Sequence, residues 1–401
     1  MDALADLVRL EDPRFYLDDP YPVMQRLRRE EPVFFYEPLN MWVMSKYEDI
    51  RHVGRTPEIF SNHDGIHWSD FQFGGTTKQF FRAEAENIAL LGPPRHNEIR
   101  RVISPALSAG AVARMRDQVR AICRDLLAPI EAGQMINWSR QVAEPLPLLV
   151  IAILIGFPIE QYDKLKFYSD QLIKIGLSLS REEIDETVES LKPMYLYFEE
   201  LLNERDRHPT EDLTTSLQQA RKAGEISTET AHMLMAGMLV AGNETTRNTI
   251  NGAILLLAQN PDQFRLMVQQ PELAKSATEE FLRYVSPVRG FGRTVIQETE
   301  IKGKTLLPGQ RVFNFFMSGN RDEDVFADAE TFDIAKPRDR ANVAFGFGQH
   351  TCIGAALARM EIGVLFEELV ARFSDVTLEG TPFRDKVLQY NMWENVQTVF
   401  N

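Results

Sequence analysis

The feature that most constrains this chain is a short glycine-rich segment that contains one of its only two cysteines. Residues 345–354 read Phe-Gly-Phe-Gly-Gln-His-Thr-Cys-Ile-Gly, and small residues follow from Ala355. Glycines permit a tight turn and let the backbone approach a flat ligand closely. A cysteine at the start of a helix lies near the positive end of the helix dipole, which favours the thiolate. This segment, the cysteine loop, indicates a metal ligand at Cys352; a redox-sensitive thiol and a buried small residue are the alternatives.

Composition and the second cysteine exclude several classes of protein. Cys123 lies among apolar residues at helical spacing and is predicted to be a core residue. Two cysteines argue against a disulfide framework and exclude a metal site built from several thiolates. The net charge of −14 argues against nucleic acid as a partner. With no leader pattern at the N-terminus, and an apolar run at 146–157 too short to span a bilayer, we expect a cytoplasmic protein without a membrane anchor.

Most of the chain has the apolar periodicity of helices. Apolar residues recur every three or four positions over 111–131, 158–176, 181–206 and 227–259. β-prone stretches occur near 31–44, 293–313 and 375–400. Residues 318–345 lack periodicity, and such segments in compact proteins are usually functional or tightly packed. We therefore expect a single domain over residues 1–401, mainly α with small β-sheets.

The pattern Phe345-Gly-x-Gly-x-His350-x-Cys352-x-Gly354 resembles the haem-binding signature of the cytochrome P450 family. The resemblance implies a haem b (iron-protoporphyrin IX) whose iron has Cys352 as its axial ligand, with the thiolate favouring dioxygen cleavage. Phe345 and Gly346 would contact the cofactor. The fold implied is the P450 fold, with the haem between a long central helix and the helix after the cysteine loop.

A second match lies inside the predicted helix 227–259. Residues 241–246 read Ala-Gly-Asn-Glu-Thr-Thr and resemble the family's oxygen-activating segment. Glycine within a helix costs about 1 kcal/mol relative to alanine, so we expect Gly242 to have a functional or packing role that offsets this cost. The resemblance implies that Ala241 lies over the haem, Thr245 hydrogen-bonds the activated oxygen, and Glu244 relays protons. The alternative is an ordinary buried helix with a surface carboxylate.

Glu280 and Arg283 form a third match. They are three positions apart on a predicted helix, so their side chains can pair. An exposed pair is the alternative, but the resemblance implies a buried, structural pair that anchors the segment before the cysteine loop. Its third partner stays open among three cations: Lys336, Arg338 and Arg340.

The resemblance also assigns the residues that hold the haem propionates. His96 and Arg100 match the family's His-x-x-x-Arg pair, and at i and i+4 they share a helix face. Arg293 and His350 match the other usual contacts. The family often has a histidine two residues before Ala344, where this chain has Asn342, and the role of Asn342 stays open.

Substrate contacts are expected in segments 63–91 and 171–179 and on one face of the central helix. The pocket candidates are apolar or flexible, which suits a lipophilic substrate, although such residues are as often plain core. They are Gly237, Met238, Val288, Phe291 and Met392. Residues 243–248 resemble family members that act on steroids, branched lipids and terpenoids; a fatty acid is the alternative substrate.

No flavin or iron–sulfur domain is visible, so electrons would come from NAD(P)H through a ferredoxin reductase and a ferredoxin. A run of arginines is either a docking surface for an acidic ferredoxin or a solvated helix face. It comprises Arg100, Arg101, Arg114, Arg116 and Arg120. The expected activity is that of a monomeric monooxygenase. A peroxide-driven peroxygenase, against which the Glu244–Thr245 pair weighs, and a non-catalytic haem sensor are the alternatives.

Overall fold

A computed structural model describes residues 3–68, 70, 85–175 and 181–401. Helices predominate among the described residues. They are α1 (Leu4–Leu7), α2 (Pro13–Leu17), α3 (Tyr21–Glu30), α4 (Tyr47–Arg55), α5 (Arg95–Ile103), α6 (Ala109–Leu127), α7 (Pro145–Ile155), α8 (Tyr162–Ile175), α9 (Arg181–Ser190), α10 (Lys192–Arg207), α11 (Leu213–Lys222), α12 (Thr228–Gln259), α13 (Pro261–Gln269), α14 (Ala274–Val285), α15 (Phe316–Gly319) and α16 (Ala355–Val370). The mainly helical fold expected from the sequence is confirmed.

The strands form small sheets at the edges of the helical body. They are β1 (Val33–Tyr36), β2 (Met41–Met44), β3 (Phe60–Ser61), β4 (Met135–Asn137), β5 (Phe291–Val295), β6 (Thr299–Ile301), β7 (Lys304–Leu306), β8 (Arg311–Asn314), β9 (Val376–Glu379), β10 (Phe383–Arg384), β11 (Trp393–Glu394) and β12 (Gln397–Phe400). The largest sheet has the order β1-β2-β8-β5-β3, with β2 and β8 parallel. Within 293–313, a separate hairpin of β6 and β7 lies between β5 and β8 in the chain.

Helix α12, the central helix, runs for 32 residues and organises the core. It begins where the Ser227 side chain accepts a hydrogen bond from the Thr230 N–H, an ordinary N-cap. Most of its residues are buried on every side, because it packs against α7, α8, α14 and α16. Among the helices of the described ranges, none is both long and apolar enough to cross a membrane.

The structure corrects the predicted helix 181–206. The helix is interrupted at Leu191, so α9 ends at Ser190 and α10 begins at Lys192. Pro193 lies in the first turn of α10, where its missing N–H costs nothing, whereas in a continuous helix it would remove an internal hydrogen bond. The apolar periodicity alone could not reveal this break.

The irregular segment 318–345 is tightly packed through buried polar contacts. Asn320 donates from Nδ2 to Ser286 Oγ (2.9 Å) and accepts at Oδ1 from the Val343 N–H (2.7 Å). Arg28, buried in α3, donates to the Ser318 carbonyl at 3.2 Å. The segment thereby has a fixed path into the cysteine loop.

Glu280 and Arg283 form a buried pair, and Arg338 is their third partner. Glu280 Oε1 lies 2.7 Å from Arg283 Nη2 and 2.8 Å from Arg338 Nη2. Burial opposes ionisation of Glu280, but the hydrogen bonds from the two guanidinium groups outweigh it and lower its pKa. Arg283 also donates to the carbonyls of Asn320 and Ala329, which ties the triad to the irregular segment. The other two candidates pair elsewhere: Lys336 with Asp328, and Arg340 with Glu48.

Candidate active site

The cysteine loop is a closed turn that only glycine can form at two positions. Gly346 and Gly348 have positive φ angles of 67° and 77°. A Cβ at Gly348 would lie 1.7 Å from the carbonyl oxygen of Gly54, so the loop packs directly on the backbone of α4. The Cys352 N–H donates to the Phe345 carbonyl at 2.9 Å and closes the loop just before α16 begins.

The Cys352 side chain is exposed, although the pKa of its thiol is raised by burial. A side chain that is accessible and yet remote from bulk water lines an interior cavity. The Gly354 N–H and the charges of Arg100 and Arg359 act in the opposite direction, but burial outweighs them. Burial therefore opposes the preference for the thiolate that a position at the start of a helix gives. A coordinated metal cation deprotonates such a thiol.

The four predicted propionate contacts lie together beside the cysteine loop, and we call them the cationic cluster: His96, Arg100, Arg293 and His350. The His96 and His350 rings have centroids 4.4 Å apart, and Arg100 donates to the Gln349 carbonyl at 3.4 Å. Burial, followed by the charges of Arg293, His96 and Arg100, lowers the pKa of His350 to about 3. Helix α5, strand β5 and the cysteine loop, which are distant in sequence, thus bring two arginines and two histidines to one place.

The cationic cluster has no acidic partner within the described part of the chain. Neither Arg100 nor Arg293 forms an ion pair with a described carboxylate, and burial alone lowers the pKa of Arg293 to about 10. Buried arginines are normally paired, because an unpaired buried charge is costly. Carboxylates of a bound group would supply the missing anions. A haem, with two propionates and an iron that accepts a thiolate, fits these residues.

The central helix presents an accessible stripe in the middle of its buried length. Gly237 and Ala241 are exposed and Thr245 is half-buried, whereas flanking residues such as Leu239 and Asn243 are buried. Positions i, i+4 and i+8 share one helix face. Thr246, next to Thr245, donates to Glu361 on the helix that follows Cys352. The central helix therefore contacts the helix that follows the cysteine loop at the residue next to Thr245.

Thr245 and Glu244 differ sharply in their surroundings. Thr245 donates from Oγ1 to the Ala241 carbonyl at 3.0 Å, so the lone pairs of its hydroxyl can still accept a hydrogen bond. Glu244 is buried, which raises its pKa, while Arg247 opposes the shift. Arg247 Nη2 lies 3.2 Å from Glu244 Oε2, but that oxygen has no hydrogen bond to a described residue. The contact is an ion pair of poor hydrogen-bond geometry.

The predicted pocket residues differ in accessibility. Met238 and Phe291 are half-buried, whereas Val288 and Met392 are buried at 5% and 6% exposure. His67, which sequence reasoning missed, packs edge-on to Phe291 at 5.6 Å, and burial lowers its pKa. The expected substrate segments 63–91 and 171–179 lie partly outside the described residues.

Two further expectations are resolved by contacts remote in sequence. Asn342 donates to Glu279 and accepts from the Ala344 N–H at 3.1 Å, so it holds the entry to the cysteine loop.

The arginine run is largely neutralised by acidic partners. Arg116 and Arg120 each lie 2.7 Å from Glu367, and Arg114 lies 3.0 Å from Glu211.

Glu361, nine residues after Cys352, is a buried carboxyl group that the sequence analysis did not single out. It is 3% exposed, and burial raises its pKa to about 8. Thr246 Oγ1 donates to Oε1 at 3.2 Å, while Oε2 has no hydrogen-bond partner in the described ranges. Glu361 therefore carries a proton at neutral pH.

We expect Glu361→Gln to remove part of the pH dependence of stability. The Glu361 carboxyl keeps its proton up to about pH 8 in the folded protein but only up to about pH 4.5 in the unfolded chain. Its contribution to stability is therefore fully present below pH 4.5 and is lost as the pH rises to about 8. Urea titrations at these two pH values measure how much free energy of unfolding each protein loses between them. The loss should be smaller in the variant than in the wild type by on the order of 2–4 kcal/mol. Parallel losses in the two proteins would contradict the assignment.

A helix-rich fold whose central helix faces a glycine-rich cysteine loop and a cationic cluster defines the class of haem proteins with a cysteine ligand. The family model for cytochrome P450 matches residues 265–392. Linalool 8-monooxygenase of Pseudomonas putida is 33% identical over 371 residues, 90% of this chain and 91% of the relative. A steroid C26-monooxygenase of Mycolicibacterium smegmatis is 31% identical over 96% of this chain and 90% of the relative.

Solved structures agree with the sequence relatives. Cytochrome P450-153 from Novosphingobium aromaticivorans is 27% identical, with a TM-score of 0.87 over 99% of this chain and all (100%) of that structure. This chain belongs to the cytochrome P450 family. It is a P450 monooxygenase, and the cofactor of the family is haem.

Proposed function

We propose that this protein hydroxylates a lipophilic small molecule, a terpenoid, steroid or branched lipid, and that Cys352 would supply the thiolate that binds the iron of a haem b. When bound, the haem supplies the activation of dioxygen. The observation that carries the proposal is the accessible stripe of the central helix beside the cysteine loop, where Thr245 offers a free acceptor. The linalool and steroid relatives support the substrate class, and a fatty acid is the less favoured candidate.

Different residues of the chain have separate roles in the proposed reaction. The cationic cluster would hold the cofactor through its propionates, and Phe345, Gly346 and Ala241 would contact it. The Thr245 hydroxyl can accept a hydrogen bond, because its own proton is donated to the Ala241 carbonyl. Glu244 can hold a proton nearby, since burial raises its pKa. Gly237, Met238, Val288, Phe291 and Met392 bind the apolar substrate.

We expect Thr245→Ala to separate electron consumption from product formation. Without the acceptor, reducing equivalents and dioxygen are still consumed but leave as peroxide, and product per NAD(P)H falls about tenfold or more. The measurement is the ratio of product and peroxide to NAD(P)H oxidised with a ferredoxin and its reductase.

Thr249→Ala is the matched control for this variant. Thr249 makes the same kind of bond, to the Thr245 carbonyl at 2.9 Å, but it is buried one turn away. The control should keep the wild-type ratio. An unchanged ratio in Thr245→Ala would remove Thr245 from the reaction.

The electron donor we propose is a ferredoxin reduced by an NAD(P)H-dependent reductase, acting on a monomeric, single-domain protein. Its docking surface would lie on the cysteine-loop side. Because Arg114, Arg116 and Arg120 are paired with glutamates, exposed Arg101 is the favoured contact of the arginine run.

A further inference from the structure

Residues 389–391 lie antiparallel to residues 287–289 at the edge of the pocket. The Arg289 N–H donates to the Gln389 carbonyl at 3.1 Å, and the Asn391 N–H donates to the Pro287 carbonyl at 2.9 Å. Val288 and Tyr390 are therefore directly opposite each other. Paired residues of antiparallel segments have side chains on the same face, opposite to those of their neighbours.

The neighbouring side chains show which face this is. Arg289 lies over the Tyr16 ring at 4.2 Å and donates to the Leu388 carbonyl, and Asn391 donates to the Val285 carbonyl at 2.7 Å. Val288 and Tyr390 accordingly face the other way. There the Tyr390 ring packs with the cluster that includes Val288, and its phenol is within electrostatic reach of Glu244 on the central helix.

The Tyr390 phenol has no hydrogen-bond partner among the residues that the structure describes. The side chain is half-buried, yet burial raises its pKa well above the usual range. As with Cys352, this combination marks a side chain that lines an interior cavity. Tyr16 and Tyr47, which are buried in the core, donate to the carbonyls of Leu10 (3.1 Å) and Ala341 (2.7 Å), as buried tyrosines usually do.

We propose that the Tyr390 hydroxyl is a specificity-determining group that donates a hydrogen bond to a hydroxyl or carbonyl oxygen of the substrate. The inference rests on the proposed function and narrows it to lipophilic molecules with an uncharged oxygen group. A carboxylate buried at this place would need a cationic partner. The adjacent cations do not compensate, since Arg289 points away and Arg247 is engaged by Glu244 and Glu394. Terpenoid alcohols and steroid ketones thus fit better than fatty acids.

The experiment compares the affinities of haem-loaded protein for linalool and β-citronellene, the hydrocarbon with the same skeleton and double bonds but no hydroxyl. Binding is followed by the shift of the Soret band. The wild type should bind linalool about tenfold more tightly, as one additional buried hydrogen bond allows. Tyr390→Phe, which keeps the ring, should bind both compounds equally.

Tyr284→Phe is the matched control, because its hydroxyl donates to the Glu330 carbonyl at 3.0 Å outside the pocket. It should retain the wild-type preference. Equal affinities in the wild type, an undiminished preference in Tyr390→Phe, or tighter binding of geranic acid than of linalool would each overturn the proposal. A Tyr390→Phe variant that keeps the preference but loses coupling would instead assign the phenol to proton transfer with Glu244. A normal carbon monoxide spectrum in all variants separates these outcomes from failure of the proposed function.

Discussion

Replacement of Cys352 by serine is expected to abolish product formation. A serine hydroxyl does not ionise in a site where burial already raises the pKa of the more acidic thiol, so no anionic ligand is available to the iron. The variant should therefore lose the red-shifted Soret band of the reduced carbon monoxide complex. NAD(P)H-dependent product should fall below detection. The cationic cluster is unchanged in this variant, and some haem should still bind.

Cys123→Ser is the matched control, because it makes the same chemical change in the other cysteine. Cys123 is fully buried in α6 among apolar side chains, and burial raises its pKa beyond the usual range of a thiol. The substitution should cost some stability but leave the spectrum and activity of the folded protein intact. If Cys123→Ser lost the red-shifted band and Cys352→Ser kept it, the ligand assignment would be reversed.

Glu280→Gln is expected to have the largest effect on stability. The substitution removes the one carboxylate shared by Arg283 and Arg338, whose side chains are 1% and 11% exposed. Leaving buried cations without a counter-charge costs about 3–5 kcal/mol. Because Arg283 also holds the irregular segment before the cysteine loop, haem incorporation should fall together with the urea midpoint.

Glu30→Gln provides the control for an exposed ion pair. Glu30 pairs with Arg26 one turn away on α3, where water screens both groups. Its loss should cost much less stability than Glu280→Gln and leave haem content unchanged. Equal destabilisation by the two variants would show that the buried triad has no special role.

The local motifs were predictable from the sequence because each depends on residues close together in the chain. The spacing of the cysteine loop and the i, i+3 pair of Glu280 and Arg283 are examples. The mainly helical class followed from apolar periodicity. The break at Leu191 did not, since Pro193 is compatible with a helix start as well as with a helix end.

Contacts between distant segments could not be read from the sequence. Nothing in the sequence distinguishes Arg338 from Lys336 and Arg340. The structure identifies it as the third partner, because its Nη2 lies 2.8 Å from Glu280 Oε1. The arginine run looked unpaired because Glu367 is some 250 positions later. Tyr390 carried no motif at all. Its environment depends on the antiparallel pairing with Val288, which brings a loop near the C-terminus against the segment after α14.

The reduced, carbon-monoxide-bound absorption spectrum of the haem-loaded wild-type protein tests thiolate ligation by Cys352 most directly. A haem that binds both carbon monoxide and a cysteine thiolate would have a Soret band shifted strongly to the red, whereas one with a neutral ligand in place of the thiolate would not. We predict the red-shifted band as the dominant form at neutral pH. A Soret band at the position given by a histidine or a neutral thiol, in freshly prepared protein that retains its haem, would contradict the assignment of Cys352.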